Sequence, residues 1–254
     1  ANYGPAGGSL AEVYEAIKET NDDFRRRTFR GALITEWVHS DPHEALNYLR
    51  ANDSGRVTDC LTEWLHADPP GATAAMIDNP SGIESVIGSL LGKIAEIQPE
   101  AVPTLAKFVK KKSSWTHHVR DAFASLASSD RASALIQAEA MEGPQRAEAL
   151  AGVAKGWAKV SGSEALEWAT GLDDNTEGKG WILRSLLVGW AETDAGAALD
   201  HLSVAPPGGN DGEFANNTGG QVLKAAAAAD FEGTLEWMGK NPGKLGREAL
   251  GGLS

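Results

Sequence analysis

The stretch WAKVSGSEALEWATGL, Trp157 to Leu172, sets a large aromatic residue before a polar break, then an Ala165-Leu166 pair and a second indole at Trp168. The same order returns on both sides of it. It reads WVHSDPHEALNYL from Trp37, WLHADPPGATAAM from Trp64, IAEIQPEAVPTLA from Ile94, LASSDRASALIQA from Leu126, WAETDAGAALDHL from Trp190 and AAAADFEGTLEWM from Ala226. Successive anchors lie 27, 30, 32, 31, 33 and 36 residues apart. A fixed period near this length, repeated along a chain, marks stacked helical pairs.

The residues upstream of each anchor show why the first segment of a unit is a helix. Four positions before it stand Leu33, Cys60, Leu90, Ala122, Val153, Leu186 and Val222, and three before it Ile34, Leu61, Leu91, Phe123, Ala154, Leu187 and Leu223. Seven before, five units carry an aliphatic residue: Val57, Ile87, Val119, Leu150 and Leu183. Apolar residues at 0, -3, -4 and -7 share one face of a 3.6-residue helix, whereas a strand needs alternation by two.

After the anchor, Asp41 and Asp68 can accept a backbone N–H as N-caps, with Pro42 and Pro69 in the first helical position, where a missing donor costs nothing. Asp130, Thr193 or Asp194, and Asp230 can cap without proline. The second helix then opens on a small or β-branched residue (Ala45, Ala72, Val102, Ala134, Ala165, Ala198, Thr234), followed in five units by leucine: Leu46, Leu135, Leu166, Leu199 and Leu235. Tyr48, Trp168 and Trp237, two positions further on, are expected to fill the gap between adjacent pairs.

Polar stretches from Asn52, Asn79, Lys110 and Asp173 read as loops between units. The longest expected interruption runs from Ser203 to Gly220. Leu10 to Ile17 reads as a capping helix behind a Gly/Pro-rich start, and Lys244 to Leu250 as a first helix without its partner. The fold expected is all-α, a right-handed superhelical stack of about seven helix-turn-helix repeats of about 31 residues. Residues 1–20 form its tail and capping helix and 21–254 a single repeat domain whose last repeat is cut short. The arrangement resembles the tetratricopeptide and HEAT-like class of α-solenoids over residues 20–254, although the consensus Trp-x-x-Leu-Gly-x-x-Tyr is absent. That resemblance implies a concave surface for another protein or peptide, and no ligand residues are transferred from it.

A net charge of -12, with 35 acidic and 23 basic residues, argues against nucleic acid and anionic membrane surfaces, which need clustered positive charge. No apolar run is long enough to span a bilayer. The single cysteine, Cys60, sits on an apolar stripe and reads as a buried small hydrophobe. The chain starts at Ala1 rather than Met. Its compartment is therefore open between cytoplasmic and exported after loss of a targeting segment.

Candidate chemistry is sparse. Serine nucleophile elbows, phosphate-binding glycine loops and the dinucleotide fingerprint are missing, so no catalytic residue and no cofactor is expected. His117 and Asp121 have ligand spacing on one helix face but lack the further ligands a metal site needs, and His39, His43 and His66 lie near the turns. Glu36 and Glu63 read as solvated surface. Trp37, Trp64, Trp157 and Trp190 recur at one position and read as packing; Trp115 and Trp181 lie off it and are the better candidates for exposure.

Polar residues on the far side of the first helices are the candidate partner contacts: Thr58, Asp59, Ser89, Arg120, Asp121, Arg184, Ser185 and Gln221. The reading is a non-enzymatic scaffold that binds a basic or neutral protein or peptide. Two alternatives are a catalytic or carbohydrate-binding helical toroid with an acidic, aromatic cleft, and a spacer or assembly domain of a longer protein that interacts through its ends.

Overall fold

The computed structural model describes residues 9–19, 21–109, 116–204 and 212–242. Trp115, the loop stretch from Lys110 and the segment Lys244 to Leu250, each singled out from the sequence, lie outside the described residues. Among the described residues there are fifteen α-helices, two short 3-10 turns and no strand. In chain order the helices are α1 (Leu10–Lys18), α2 (Asp23–Ser40), α3 (Pro42–Asn52), α4 (Val57–Ala67), α5 (Pro69–Asp78), α6 (Glu84–Ile97), α7 (Val102–Ala106) and α8 (Thr116–Ser129). They continue as α9 (Arg131–Glu139), α10 (Gly143–Val160), α11 (Gly162–Thr170), α12 (Lys179–Ala191), α13 (Ala195–Val204), α14 (Gly212–Ala229) and α15 (Phe231–Lys240). The contacts divide the chain into two compact units, Ala1–Leu90 and Leu91–Ser254, and α6 crosses the division.

Each anchor residue falls in the last turns of an even-numbered helix, and the following helix starts five residues later, except after Ile94, where a 3-10 turn starts at Pro99 and α7 at Val102. Burial follows the register that the sequence sets. All seven residues at -3 are buried, and so are six of the seven at -4, Leu33 being half-buried. The small residues opening the second helices, Ala45 through Thr234, are buried in every case. The aspartates cap as their spacing requires. Asp41 accepts the Glu44 N–H at 2.8 Å, Asp68 that of Gly71 at 3.1 Å, Asp130 that of Ser133 at 3.1 Å, Asp194 that of Ala197 at 3.0 Å and Asp230 that of Gly233 at 2.9 Å. Each satisfies a donor that the first turn leaves without an intrahelical acceptor.

In the first unit α1 closes against α2. Ser9 Oγ accepts the Glu12 N–H and Glu12 Oε2 accepts the Ser9 N–H, a reciprocal capping box. Tyr14 is wholly buried with its ring centroid 6.2 Å from that of Trp37 and 5.9 Å from that of Tyr48. Its hydroxyl donates to Asp53 at 2.8 Å, and the same carboxylate oxygen takes Arg30 at 3.1 Å. Burial and the Asp53 hydrogen bond push the Tyr14 phenol up to about 12, so it serves as a fixed donor. The Cys60 thiol is likewise pushed by burial up to about 12, as expected of a core residue.

In the second unit, glycine sets how closely neighbouring first helices approach. A Cβ at Gly152 would meet the Arg120 carbonyl of α8 and come within 2.8 Å of Phe123 Cβ; one at Gly156 would meet the Ala124 carbonyl group. Gly189 of α12 stands the same way against Lys155 of α10. Backbone therefore packs on backbone from α8 through α10 to α12. The close approach thus lies between first helices.

Three further expectations are corrected. Tyr48 and Trp168 pack on the anchors of their own pairs, with ring centroids 5.1 Å from Trp37 and 5.5 Å from Trp157, because residues eleven apart across the short turn face each other; Tyr48 also meets Tyr14 of α1, and Trp237 donates to the preceding pair, its indole N–H reaching Asp200 at 2.7 Å. The leucine slot is not uniformly core: Leu46 and Leu199 are buried, Leu135 and Leu166 are half-buried, and Leu235 is exposed. The expected loop from Ser203 to Gly220 is helical through Val204 and again from Gly212, where α14 extends its backbone hydrogen bonding upstream of the apolar stripe that buries Val222 and Leu223. Among the described residues no helix is long and apolar enough to cross a membrane.

Candidate functional site

At three places the start of a second helix meets the anchor of the next pair. His43 stands edge-on to Trp64 with centroids 4.8 Å apart, the Arg131 guanidinium lies 4.4 Å from the Trp157 ring centroid, and the α-carbon of Gly162 lies so near the Trp190 indole that a Cβ would collide with it. These contacts fix each anchor indole in place and leave the opposite surface of the first helices to other side chains.

On that surface of α8, α10 and α12 a polar ladder runs from helix to helix. Trp181 of α12 donates its indole N–H to Glu148 of α10 at 3.2 Å. Glu148 also faces the Arg120 guanidinium of α8 at 3.7 Å. Arg120 and Arg184 both lie against the Trp181 ring, 4.9 and 4.4 Å from its centroid, in cation–π geometry. Burial, and then the neighbouring Arg120 charge, lower the Arg184 pKa. One helical turn and more toward the C-termini, Lys155 and Lys159 of α10 grip Glu192 beyond α12 at 3.1 and 2.6 Å. Burial of Glu192 opposes its ionisation, yet the Lys159 and Lys155 hydrogen bonds win and hold its carboxyl below the usual range.

The eight residues expected to contact a partner fare differently. Arg120, Asp121 and Arg184 come together on this surface, with Asp121 well exposed at its edge. Ser185 does not belong there, because it is buried. It holds the same place before Trp190 that Gly152 holds before Trp157, and that place turns toward the preceding first helix. In the first unit, Thr58 is half-buried and Asp59 is exposed and paired with Arg56 at 2.9 Å. Ser89 is exposed and its hydroxyl donates to the Val86 carbonyl of its own helix at 2.8 Å, and Gln221 is exposed on α14.

Glu148, Lys155, Lys159 and Glu192 were missed. Glu148 and Trp181 each stand nine residues before a tryptophan anchor, a shared offset that could have paired them. Trp181 itself is half-buried between the two arginines, less open than its off-register position suggested.

A hollow of about 460 Å³ between α6, α8 and α9 has a lining that includes Glu96, Glu100, Ser125, Ser129, Asp130 and Gln137, and it shares no residue with the ladder. Among the described residues no lysine, arginine or histidine lines it. Among the described residues no group of three histidine, cysteine, aspartate or glutamate side chains could hold a metal ion. His117 and His118 stack with ring centroids 4.0 Å apart, and the His39 Nδ1 lies 2.7 Å from the Thr35 carbonyl oxygen. The arrangement offers hydrogen bonds, fixed charges and one aromatic face. No family model, curated protein or solved structure matches this chain.

Proposed function

We propose that the chain is a non-enzymatic helical-repeat scaffold, a right-handed stack of seven helix pairs that holds a basic or neutral peptide segment of another protein against its first helices. The observation that carries this reading is the ladder of Arg120, Glu148, Trp181 and Arg184 on helices whose backbones are locked by Gly152, Gly156 and Gly189. Side chains held on rigid elements lose little entropy on binding and present a fixed pattern of donors, acceptors and aromatic surface. A separate acid- and hydroxyl-lined hollow between α6, α8 and α9 suits a lysine or arginine side chain of the partner, and the net charge of -12 steers such a segment toward the protein.

Arg120 and Arg184 are braced against Trp181 and half-buried, so reversing their charge would disturb folding together with binding. Exposed neighbours give a cleaner test. A photo-crosslinking residue placed at Asp121 or Ser128 should trap one protein reproducibly in cells, while the same residue at Glu139 or Thr170, on second helices, should not. Equal labelling at all four positions, or none at the first two, would remove this surface from consideration.

A further inference from the structure

We propose that copies of this chain associate head to tail, the exposed face of α2 in one copy docking on the exposed face of α15 in another. Both helices carry large apolar side chains that no described residue of their own chain covers fully: Phe24 is 78% and Phe29 53% exposed on α2, Phe231 60% and Leu235 49% on α15. Isolated exposed apolar residues are ordinary, but here each set is confined to one sector of a helix and rimmed by charge. At 100° per residue, Phe24 and Phe29 bound a sector about 140° wide that also holds Arg25, Thr28 and Ala32. Those residues are all exposed. Phe231, Leu235, Glu232 and Glu236 fill a sector of the same width on α15, about 140°. All four of these are exposed too.

The rims are complementary. Residues 22–30 carry four arginines against two aspartates, a basic island in a chain of net charge -12. Residues 230–240 carry Asp230, Glu232 and Glu236 against Lys240 alone. Arg25, Arg26 and Arg27 pair locally with Asp22 and Asp23 and Arg30 with Asp53, yet Arg25 and Arg27 keep side chains 71% exposed, and such surface pairs exchange partners at little cost. An apolar strip flanked by positive charge thus meets an apolar strip flanked by negative charge. Because the two faces differ, the contact is heterologous, and each added copy presents a free face for the next. This association is independent of the first-helix surface of α8, α10 and α12.

The test uses the full chain in light scattering and sedimentation over a concentration series. The mean mass should rise above the 26.7 kDa of one copy as concentration increases. Phe24→Ser/Phe29→Ser and Phe231→Ser/Leu235→Ser should each weaken association by at least about tenfold, with helical circular dichroism unchanged. Mixed in equal amounts, the two double variants should form a two-copy complex and nothing larger, since only one pair of intact faces remains. Arg25→Glu/Arg27→Glu should lose association as well. A chain that stays single at every concentration, a double variant that associates like the parent, or a mixture that stays monomeric would each overturn the proposal.

Discussion

Gly152 of α10 lies directly on the backbone of Arg120 in α8, so that a Cβ added there would meet the Arg120 carbonyl and stand 2.8 Å from Phe123 Cβ. The atoms in the way are backbone and the root of a buried ring, neither of which can swing aside. Gly152→Ala should therefore destabilise the protein by about 1–3 kcal/mol through overpacking. Gly31→Ala in α2 meets nothing within 4 Å and should stabilise by about 0.5–1 kcal/mol, the ordinary gain of alanine over glycine inside a helix. Urea midpoints at constant m-value would separate the two, and a neutral Gly152→Ala would mean that α8 and α10 are not locked together.

Asp130 holds the start of α9 by accepting the Ser133 N–H. Asp130→Ala should cost about 1 kcal/mol, while Asp130→Asn, which keeps an acceptor, should change stability by only a few tenths. Equal losses from both variants would show that the charge, rather than the cap, matters.

Leu199 and Leu166 occupy the same slot in successive second helices, but only Leu199 is fully buried. Leu199→Ala should lose about 2–5 kcal/mol and Leu166→Ala less than about 2 kcal/mol. The order of the two thermal midpoints checks the burial assignment.

Stability should fall in two steps as the pH is lowered. His118 has its pKa reduced from the ordinary 6.5, chiefly by burial and then by His117, so the unfolded chain takes up its proton first and stability declines below about that pH. Glu192 has its pKa reduced from the ordinary 4.5, because its two lysine partners outweigh its burial. Its contribution is complete above that value and is lost as pH falls through the lower folded value. Glu192→Gln should flatten the more acidic step and leave the one near His118 in place. Chemical denaturation at a series of pH values measures both, and an unchanged acidic slope in Glu192→Gln would place that proton uptake elsewhere.

The helices, their buried stripes and their caps were legible in the sequence because they depend on local spacing. Residues at -3 and -4 from an anchor must share a face whatever lies opposite, and an aspartate three residues before an amide can cap it without help from the rest of the chain. The partners of these elements were not legible. Trp181, Glu148 and Arg120 meet across three helices separated by about thirty residues each, and no local rule links them. Ser185 was misplaced for the same reason: its helix position looks polar and outward until a neighbouring helix covers it. Sequence by itself thus determined which segments are helical and which side of each is apolar, through 3.6-residue periodicity and capping chemistry. Tertiary structure decided which polar faces stay open, because exposure depends on how closely the glycines let one helix approach the next.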